Sequence, residues 1–187
     1  MIKSSWIYAA IAAALIIGLP LQFQSRAAAG YGCDVSASQL WAPGRLPVHR
    51  VEAFSHGPSC AHAVVVIVVR GPNGVPLWND SMPAAQVMTF AGLNTRQNMG
   101  VALRDWMTQN HLFKTSADLP VWKKGDAAPT SGEFPFYPDE GVDRDYYEQV
   151  RAGKVPVFCY VQGMESIACV VLKDGGMTKI GLQTFPG

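Results

Sequence analysis

The amino-terminal segment constrains the fold most, because it sets the redox environment in which the cysteines are kept. Lys3 supplies a positive charge, residues 6–19 are an uninterrupted run of apolar and small residues, and residues 27–29 are three alanines. A basic start, a short apolar run and a small-residue exit are typical of a secretory signal. We therefore predict that residues 1–29 are a signal peptide and that residues 30–187 are one extracytoplasmic domain, in the periplasm or secreted.

Two other interpretations of this segment remain open. No charged residue lies between Lys3 and Arg26, and an apolar helix of about 20 residues can cross a bilayer, so the segment could stay as an uncleaved anchor. Pro20 interrupts the run and favours cleavage. Lipidation at Cys33 is the third interpretation. All three export the rest of the chain.

The four cysteines are predicted to form two disulfides. An even number of cysteines in an exported chain favours disulfide bonds. We predict the pairs Cys33–Cys60 and Cys159–Cys169, because each pair is local in the sequence. Free, buried thiols are the alternative.

Composition predicts a packed core and argues against a nucleic-acid partner. Hydrophobic residues make up 49% of the chain and charged residues only 16%, so disorder is not expected. The formal net charge is +1, which provides no general electrostatic attraction for nucleic acid or for an anionic membrane. A membrane contact is expected only if residues 1–29 are retained.

Strands are predicted on both sides of a helical middle. Residues 48–54, 63–69 and 75–79 form the first set. Six of the seven residues in 63–69 are Val or Ile, which predicts a strand buried on both faces. The Gly71-Pro72-Asn73-Gly74 sequence predicts a hairpin turn, and Pro76 favours an edge position for the strand that follows.

The middle of the chain is predicted to be helical, with one long linker. Residues 83–90 suggest a short helix, a longer helix begins at Asn94 or Thr95 and runs to about Asn110, and residues 142–152 suggest a third. Residues 114–142 between them are rich in Pro and Gly, and a loop of this length in a compact domain is often functional.

The carboxy-terminal part is predicted to be a meander of three strands over residues 155–161, 167–172 and 177–183. A three-residue loop after the first strand places Cys159 opposite Cys169, where a disulfide is geometrically possible. The order of strands, helices and strands predicts an α+β fold: an antiparallel sheet of about five strands, with two or three helices packed on one face.

No catalytic signature is present. The sequence has no G-x-S-x-G, S-x-x-K or H-E-x-x-H pattern and no nucleotide-binding glycine loop, so no cofactor is expected. A catalytic triad assembles in space rather than in sequence, so a serine hydrolase stays an alternative. Its candidate residues are Ser55, Ser59, Ser131 and Ser166, with His56 or His111.

No metal site is predicted. His56, Cys60 and His62 are ligand types that suit zinc or copper, but Cys60 is assigned to a disulfide. An acidic group lacks the spacing of a calcium loop and is better interpreted as a solvated helix start. Its members are Asp139, Glu140, Asp143, Asp145 and Glu148.

Aromatic residues in and beside the linker are the predicted binding surface. Rigid aromatic side chains bury a large area at small entropic cost. The residues chosen are Trp122, Phe134, Phe136 and Tyr137, within a group that also holds Phe113, Tyr146 and Tyr147. The alternative is that this group packs on the open face of the sheet.

Together these features favour a small, exported, non-enzymatic domain that binds another envelope component, a protein or a glycan. The alternatives are an envelope hydrolase with a serine or metal site, and an accessory subunit of a membrane complex anchored by residues 1–29.

Overall fold

The computed structural model describes residues 32–108, 113–129 and 134–185. The predicted signal or anchor over residues 1–29 lies outside the described residues. Within them the chain forms eight strands and two α-helices. The strands are β1 Val35–Trp41, β2 His49–His56, β3 Val64–Arg70, β4 Pro76–Pro83, β5 Phe136–Pro138, β6 Val157–Val161, β7 Ser166–Lys173 and β8 Gly176–Thr184, and the helices are α1 Arg96–Thr108 and α2 Arg144–Gly153.

Sheet one contains the first four strands in sequential order, all antiparallel. The predicted hairpin between β3 and β4 is present. The side chain of Asn73 accepts a hydrogen bond of 3.1 Å from the Val75 N–H, which closes the turn. The strand that contains Pro76 lies at the edge of the sheet, where a missing backbone N–H costs no ladder hydrogen bond.

Sheet two has the order β5-β8-β7-β6, also antiparallel. The predicted meander of the last three strands is confirmed, and Cys159 lies directly opposite Cys169 in the register. The disulfides Cys33–Cys60 and Cys159–Cys169 are both formed. With Cys33 in a disulfide, its sulfur is not available for lipidation.

Sheet two is the middle layer, because both of its faces are covered. Phe158 and Tyr160 project from β6 into a first core, which sheet two shares with sheet one and α1. Val157 and Cys159 belong to a second core, which α2 and the linker cover. All five residues of β6 are buried.

The single sheet of about five strands is therefore wrong: there are two sheets of four. The two additional strands carry weak local signals. In β1 the exposed residues Ser36 and Ser38 alternate with half-buried residues such as Ala37 and Gln39. Strand β5 has only three residues and ends at Pro138. Both form because a neighbouring strand offers an edge, which no local pattern encodes.

The helices do not share one face. Helix α1 packs in the first core and α2 in the second, on opposite sides of sheet two. The short helix predicted over residues 83–90 is also wrong. Pro83 ends β4, and only Ala84–Gln86 forms a 3-10 turn. Thr95 caps α1 as predicted, its hydroxyl accepting from the Asn98 N–H at 3.2 Å.

Strand β3 is not buried on both faces. Val65, Ile67 and Val69 are fully buried on the inner side, whereas Val64 on the outer side is 44% exposed. The outer face is covered unevenly along the strand, since Val66 is half-buried and Val68 is only 9% exposed. A run of β-branched residues thus indicates a strand without showing how many of its faces are covered.

No helix in the described part of the chain is long and apolar enough to cross a membrane. The two disulfides indicate an oxidising, extracytoplasmic environment.

We expect the first disulfide to contribute more to stability than the second. The Cys33–Cys60 bond joins residues 27 apart and the Cys159–Cys169 bond residues 10 apart. The chain-entropy model gives contributions of about 3.5 and about 2.7 kcal/mol. The paired variants Cys33→Ala/Cys60→Ala and Cys159→Ala/Cys169→Ala should lower the free energy of unfolding by about these amounts in urea titrations.

The parent protein treated with a reductant is the control for both variants. A Cys33→Ala/Cys60→Ala protein as stable as the oxidised parent would contradict a stabilising role for this bond.

Candidate functional site

The aromatic group predicted from the sequence packs mainly in the second core. Its ring contacts form one continuous row: Phe113 to Phe136 at 6.2 Å, Phe136 to Tyr147 at 6.0 Å, and Tyr147 to Trp122 at 5.7 Å between ring centroids. Phe136 and Tyr147 are fully buried. The linker thus covers the α2 side of sheet two.

Trp122 is half-buried and fixed by hydrogen bonds. Its backbone N–H donates to the Glu148 carboxylate at 2.7 Å, and its ring N–H donates to the Asp126 carbonyl at 2.8 Å. Burial works to raise the pKa of Glu148, but the Trp122 N–H and the Arg151 guanidinium outweigh it and hold the pKa below its usual value. This tryptophan serves as an anchor of the linker.

Of the four predicted binding residues, the structure leaves two well exposed. Phe134 is 43% and Tyr137 48% exposed, whereas Phe136 between them is 0% exposed. Within β5 the contrast between Phe136 and Tyr137 follows from the extended backbone, in which successive side chains point to opposite faces, whereas Phe134 lies before the strand. The binding role of these residues stays a prediction, and of the four only Phe134 and Tyr137 are exposed enough to contact a partner.

We expect Phe136→Ala to destabilise the protein more than Phe134→Ala does, because the first ring is buried and the second is exposed. The first removes a fully buried ring and should lower the free energy of unfolding by about 3–5 kcal/mol. The second removes an exposed ring and should cost less than about 1 kcal/mol. Urea denaturation followed by tryptophan fluorescence measures both. Equal losses for the two variants would show that the linker does not pack as described.

A large cleft lies elsewhere in the described residues. It has a volume of about 790 Å³ and opens among four segments: residues 41–46 after β1, residues 113–115, residues 153–157 between α2 and β6, and residues 172–174 between β7 and β8. Such a volume is within the range of small-molecule sites. Of the predicted aromatic group, only Phe113 lines it.

Positive charge is concentrated around this cleft. Arg45, Lys114, Lys154 and Lys173 line it together with a single acid, Asp174. The Lys173 ammonium lies 3.1 Å from the Asp174 carboxylate. The other three cations form no ion pair within the described residues. The cleft is therefore strongly cationic on a chain whose formal net charge is only +1.

Two loops that carry these charges have an uncommon backbone. Lys154 and Asp174 have φ angles of 50° and 53°, and they are the two non-glycine residues with positive φ in the described chain. Lys154 ends α2, and Asp174 begins the Asp174-Gly175 hairpin turn, a sequence that favours this conformation. Positive φ at residues other than glycine is uncommon and is often found at functional sites.

The wall of the cleft is continuous with the first core. Trp41 lines the cleft, and its ring contacts His49 at 5.6 Å and Phe158 at 5.4 Å. The row continues inward from Phe158 through Tyr160 to Trp106. A wall supported by packed rings is rigid, which lowers the entropic cost of binding.

The sequence did not reveal this cleft. Its cations come from positions 45, 114, 154 and 173, one in each of four separate segments. The usable signals were Gly44 next to Arg45 and Gly153 next to Lys154, each of which favours a turn at the charged residue. Only the fold shows that these loops meet.

The serines do not form a catalytic group in the described residues. The Ser55 hydroxyl is buried and donates to the Cys33 carbonyl at 2.6 Å. Ser59 and the His62 ring lie 2.9 Å apart within one short turn, but no carboxylate orients that histidine. Ser131 and His111 lie outside the described residues.

The candidate metal ligands have other partners. Cys60 is in a disulfide, and the His56 ring lies 2.7 Å from the Asp34 carboxylate. The described residues contain no group of three histidines, cysteines or acids that could hold a metal ion.

Residues of the acidic group near α2 have local hydrogen-bond and ion-pair partners. Asp143 accepts a hydrogen bond of 2.8 Å from the Tyr146 N–H and caps the helix. Asp139 pairs with Lys179 at 3.1 Å. These are the contacts of a capped, solvated helix start.

Comparison of this chain with protein-family models, with curated proteins and with solved structures gave no match.

Proposed function

We propose that residues 30–187 are an exported, disulfide-stabilised domain that binds another component of the cell envelope through an anionic group of that component. The observation that carries this proposal is the concentration of four cations and one acid around the cleft of about 790 Å³. The anionic group is a phosphate, sulfate or carboxylate, on a small molecule or on a larger envelope constituent.

Electrostatics favour capture at this position. Like charges brought together by the fold repel each other, so an anion that enters the cleft relieves this repulsion as well as forming ion pairs. The apolar walls around Trp41 and Phe113 exclude part of the water, which strengthens each ion pair relative to an open surface. The affinity should fall as salt is added, because exposed charges are screened.

The side chains around the cleft support binding rather than catalysis. Among the described residues that line it, none is a histidine, serine, cysteine or glutamate. The acid present, Asp174, is paired with Lys173. The cleft therefore offers cations and apolar surface with one hydroxyl, that of Thr115, which donates to the Asp118 carboxylate at 3.3 Å as part of the capping box of its own turn.

In this proposal the exposed aromatic residues Phe134 and Tyr137 have a secondary role. They are a second contact for a protein partner, separate from the cleft. Retention of residues 1–29 as an anchor would hold the same binding domain at a membrane, as in the accessory-subunit alternative.

The cleft lysines should be required for anion binding. Pyrophosphate is a suitable probe because its charge is high and it fits the volume. The double variant Lys114→Glu/Lys154→Glu should bind pyrophosphate at least about tenfold more weakly in calorimetric titrations, because each charge-assisted hydrogen bond contributes about 1.5–3 kcal/mol.

The matched control is Lys123→Glu/Lys124→Glu, which changes the net charge equally at two exposed positions outside the cleft. A similar loss in both variants would assign the binding to overall charge and overturn the proposed site. No pyrophosphate binding by the parent protein at low salt would do so as well.

Removing the charge of Asp174, the single acid that lines the cleft, should raise the affinity for anions. Asp174→Asn retains a residue that tolerates the left-handed conformation before Gly175, so the hairpin is preserved. It also releases Lys173 from its 3.1 Å ion pair. Pyrophosphate affinity should rise by about two- to fivefold, in line with one weak surface charge interaction. An unchanged or lower affinity with an unchanged melting temperature would place the bound anion away from this turn.

A further inference from the structure

A second cavity adjoins the cationic cleft. Its volume is about 470 Å³, and it shares Leu46, Leu172 and Asp174 with the first cavity. These three residues therefore lie at the boundary between the two spaces. Leu46 is 46% exposed and belongs to the loop after β1, so the partition is formed partly by a surface side chain.

The two cavities differ in chemistry. The second is lined by Leu46, Pro47, Pro72, Leu77 and Leu172, beside glycines and a few polar residues. No lysine or arginine of the described chain lines it, whereas four line the first. Its histidine, His49, is 5% exposed, and its Nδ1 lies 2.7 Å from the Pro47 carbonyl, so this ring is held by the protein itself.

We propose that the ligand is a single-chain anionic amphiphile, with its charged head among the lysines of the cleft and its apolar chain in the second cavity. The inference rests on the proposed function and adds the chemical class of the ligand. Charge complementarity fixes the orientation of the ligand across the two cavities. The anionic head is favoured only in the cavity that carries the cations, and the apolar chain only in the cavity that has none.

The position of Asp174 agrees with this direction. It lies at the junction of both cavities and is paired with Lys173. A negative head is repelled from the junction toward Arg45, Lys114 and Lys154, while an uncharged chain can pass it. A head placed in the second cavity would instead meet Asp174 with no cation beyond it.

The concave shape favours a monomeric amphiphile over a membrane surface. The chain-binding cavity is a pocket beside the cleft rather than a protruding apolar surface, and five of its ten lining residues are leucine or proline. A molecule that leaves its aggregate and places its chain between these walls buries more apolar area than one that stays in a bilayer.

The test uses a series of alkyl phosphates at concentrations below micelle formation, with inorganic phosphate as the head alone. Affinities of butyl, octyl and dodecyl phosphate are measured by calorimetry on the exported chain. Each buried methylene should raise the affinity by up to about fourfold, and the gain should level off once the cavity is filled. The Lys114→Glu/Lys154→Glu variant should weaken binding of every member of the series.

A pair of leucine variants localises the chain. Leu46→Asn changes the side chain shared by the two cavities, and Leu40→Asn makes the same change at a position that is 71% exposed and lines neither. Leu46→Asn should lower dodecyl phosphate affinity at least about tenfold more than it lowers pyrophosphate affinity, whereas Leu40→Asn should change neither. Thermal melts of both variants should match the parent.

The outcomes separate this inference from the proposed function. Lysine-dependent binding of pyrophosphate with no dependence on alkyl length would overturn the amphiphile and leave the anion site in place. Chain-dependent binding that Leu40→Asn weakens as much as Leu46→Asn would also overturn it. Binding to phosphatidylglycerol vesicles without binding to monomers would replace it with docking on a membrane. Absence of all anion binding would reject both proposals.

Discussion

The burial of sheet two on both faces is the constraint on which the rest of this structure depends. Side chains that alternate along β6 serve different cores: Phe158 and Tyr160 contact sheet one and α1, while Val157 and Cys159 contact the α2 side. Neither core can be assembled without this strand, and the Cys159–Cys169 bond fixes it to β7. The cleft opens where loops from both layers pass the same end of the sheet.

Polar contacts add to apolar packing in fixing the two sheets relative to each other. The buried Tyr160 hydroxyl accepts a hydrogen bond of 3.1 Å from the Trp78 ring and donates one of 2.8 Å to the Asp80 carboxylate. Burial, followed by the charge of Asp80, raises the pKa of Tyr160 far above its usual value, so the phenol stays protonated as a donor. These hydrogen bonds join β4 of sheet one to β6 of sheet two.

The parts of the fold that follow from local sequence could be predicted, and the parts that need distant partners could not. The Cys159–Cys169 pairing follows from the turn length between two evident strands, and Thr95 and Asp143 identify the starts of the helices. β1 and the division into two sheets depend on which edges meet. The cleft depends on four segments that the fold brings together, so no local sequence pattern indicates its cations. The aromatic residues, in contrast, are close together in the sequence and predicted a binding surface in a linker that mostly packs inward.

The placement of the four cations in four separate segments has an evolutionary consequence. Three of them lie in loops and Lys173 ends β7, and loops accept substitution and insertion more readily than the elements they join. A change at position 45, 114, 154 or 173 would alter the charge pattern of the cleft one segment at a time, with little effect on either core. The same scaffold can thus diversify its ligand preference in small, independent steps.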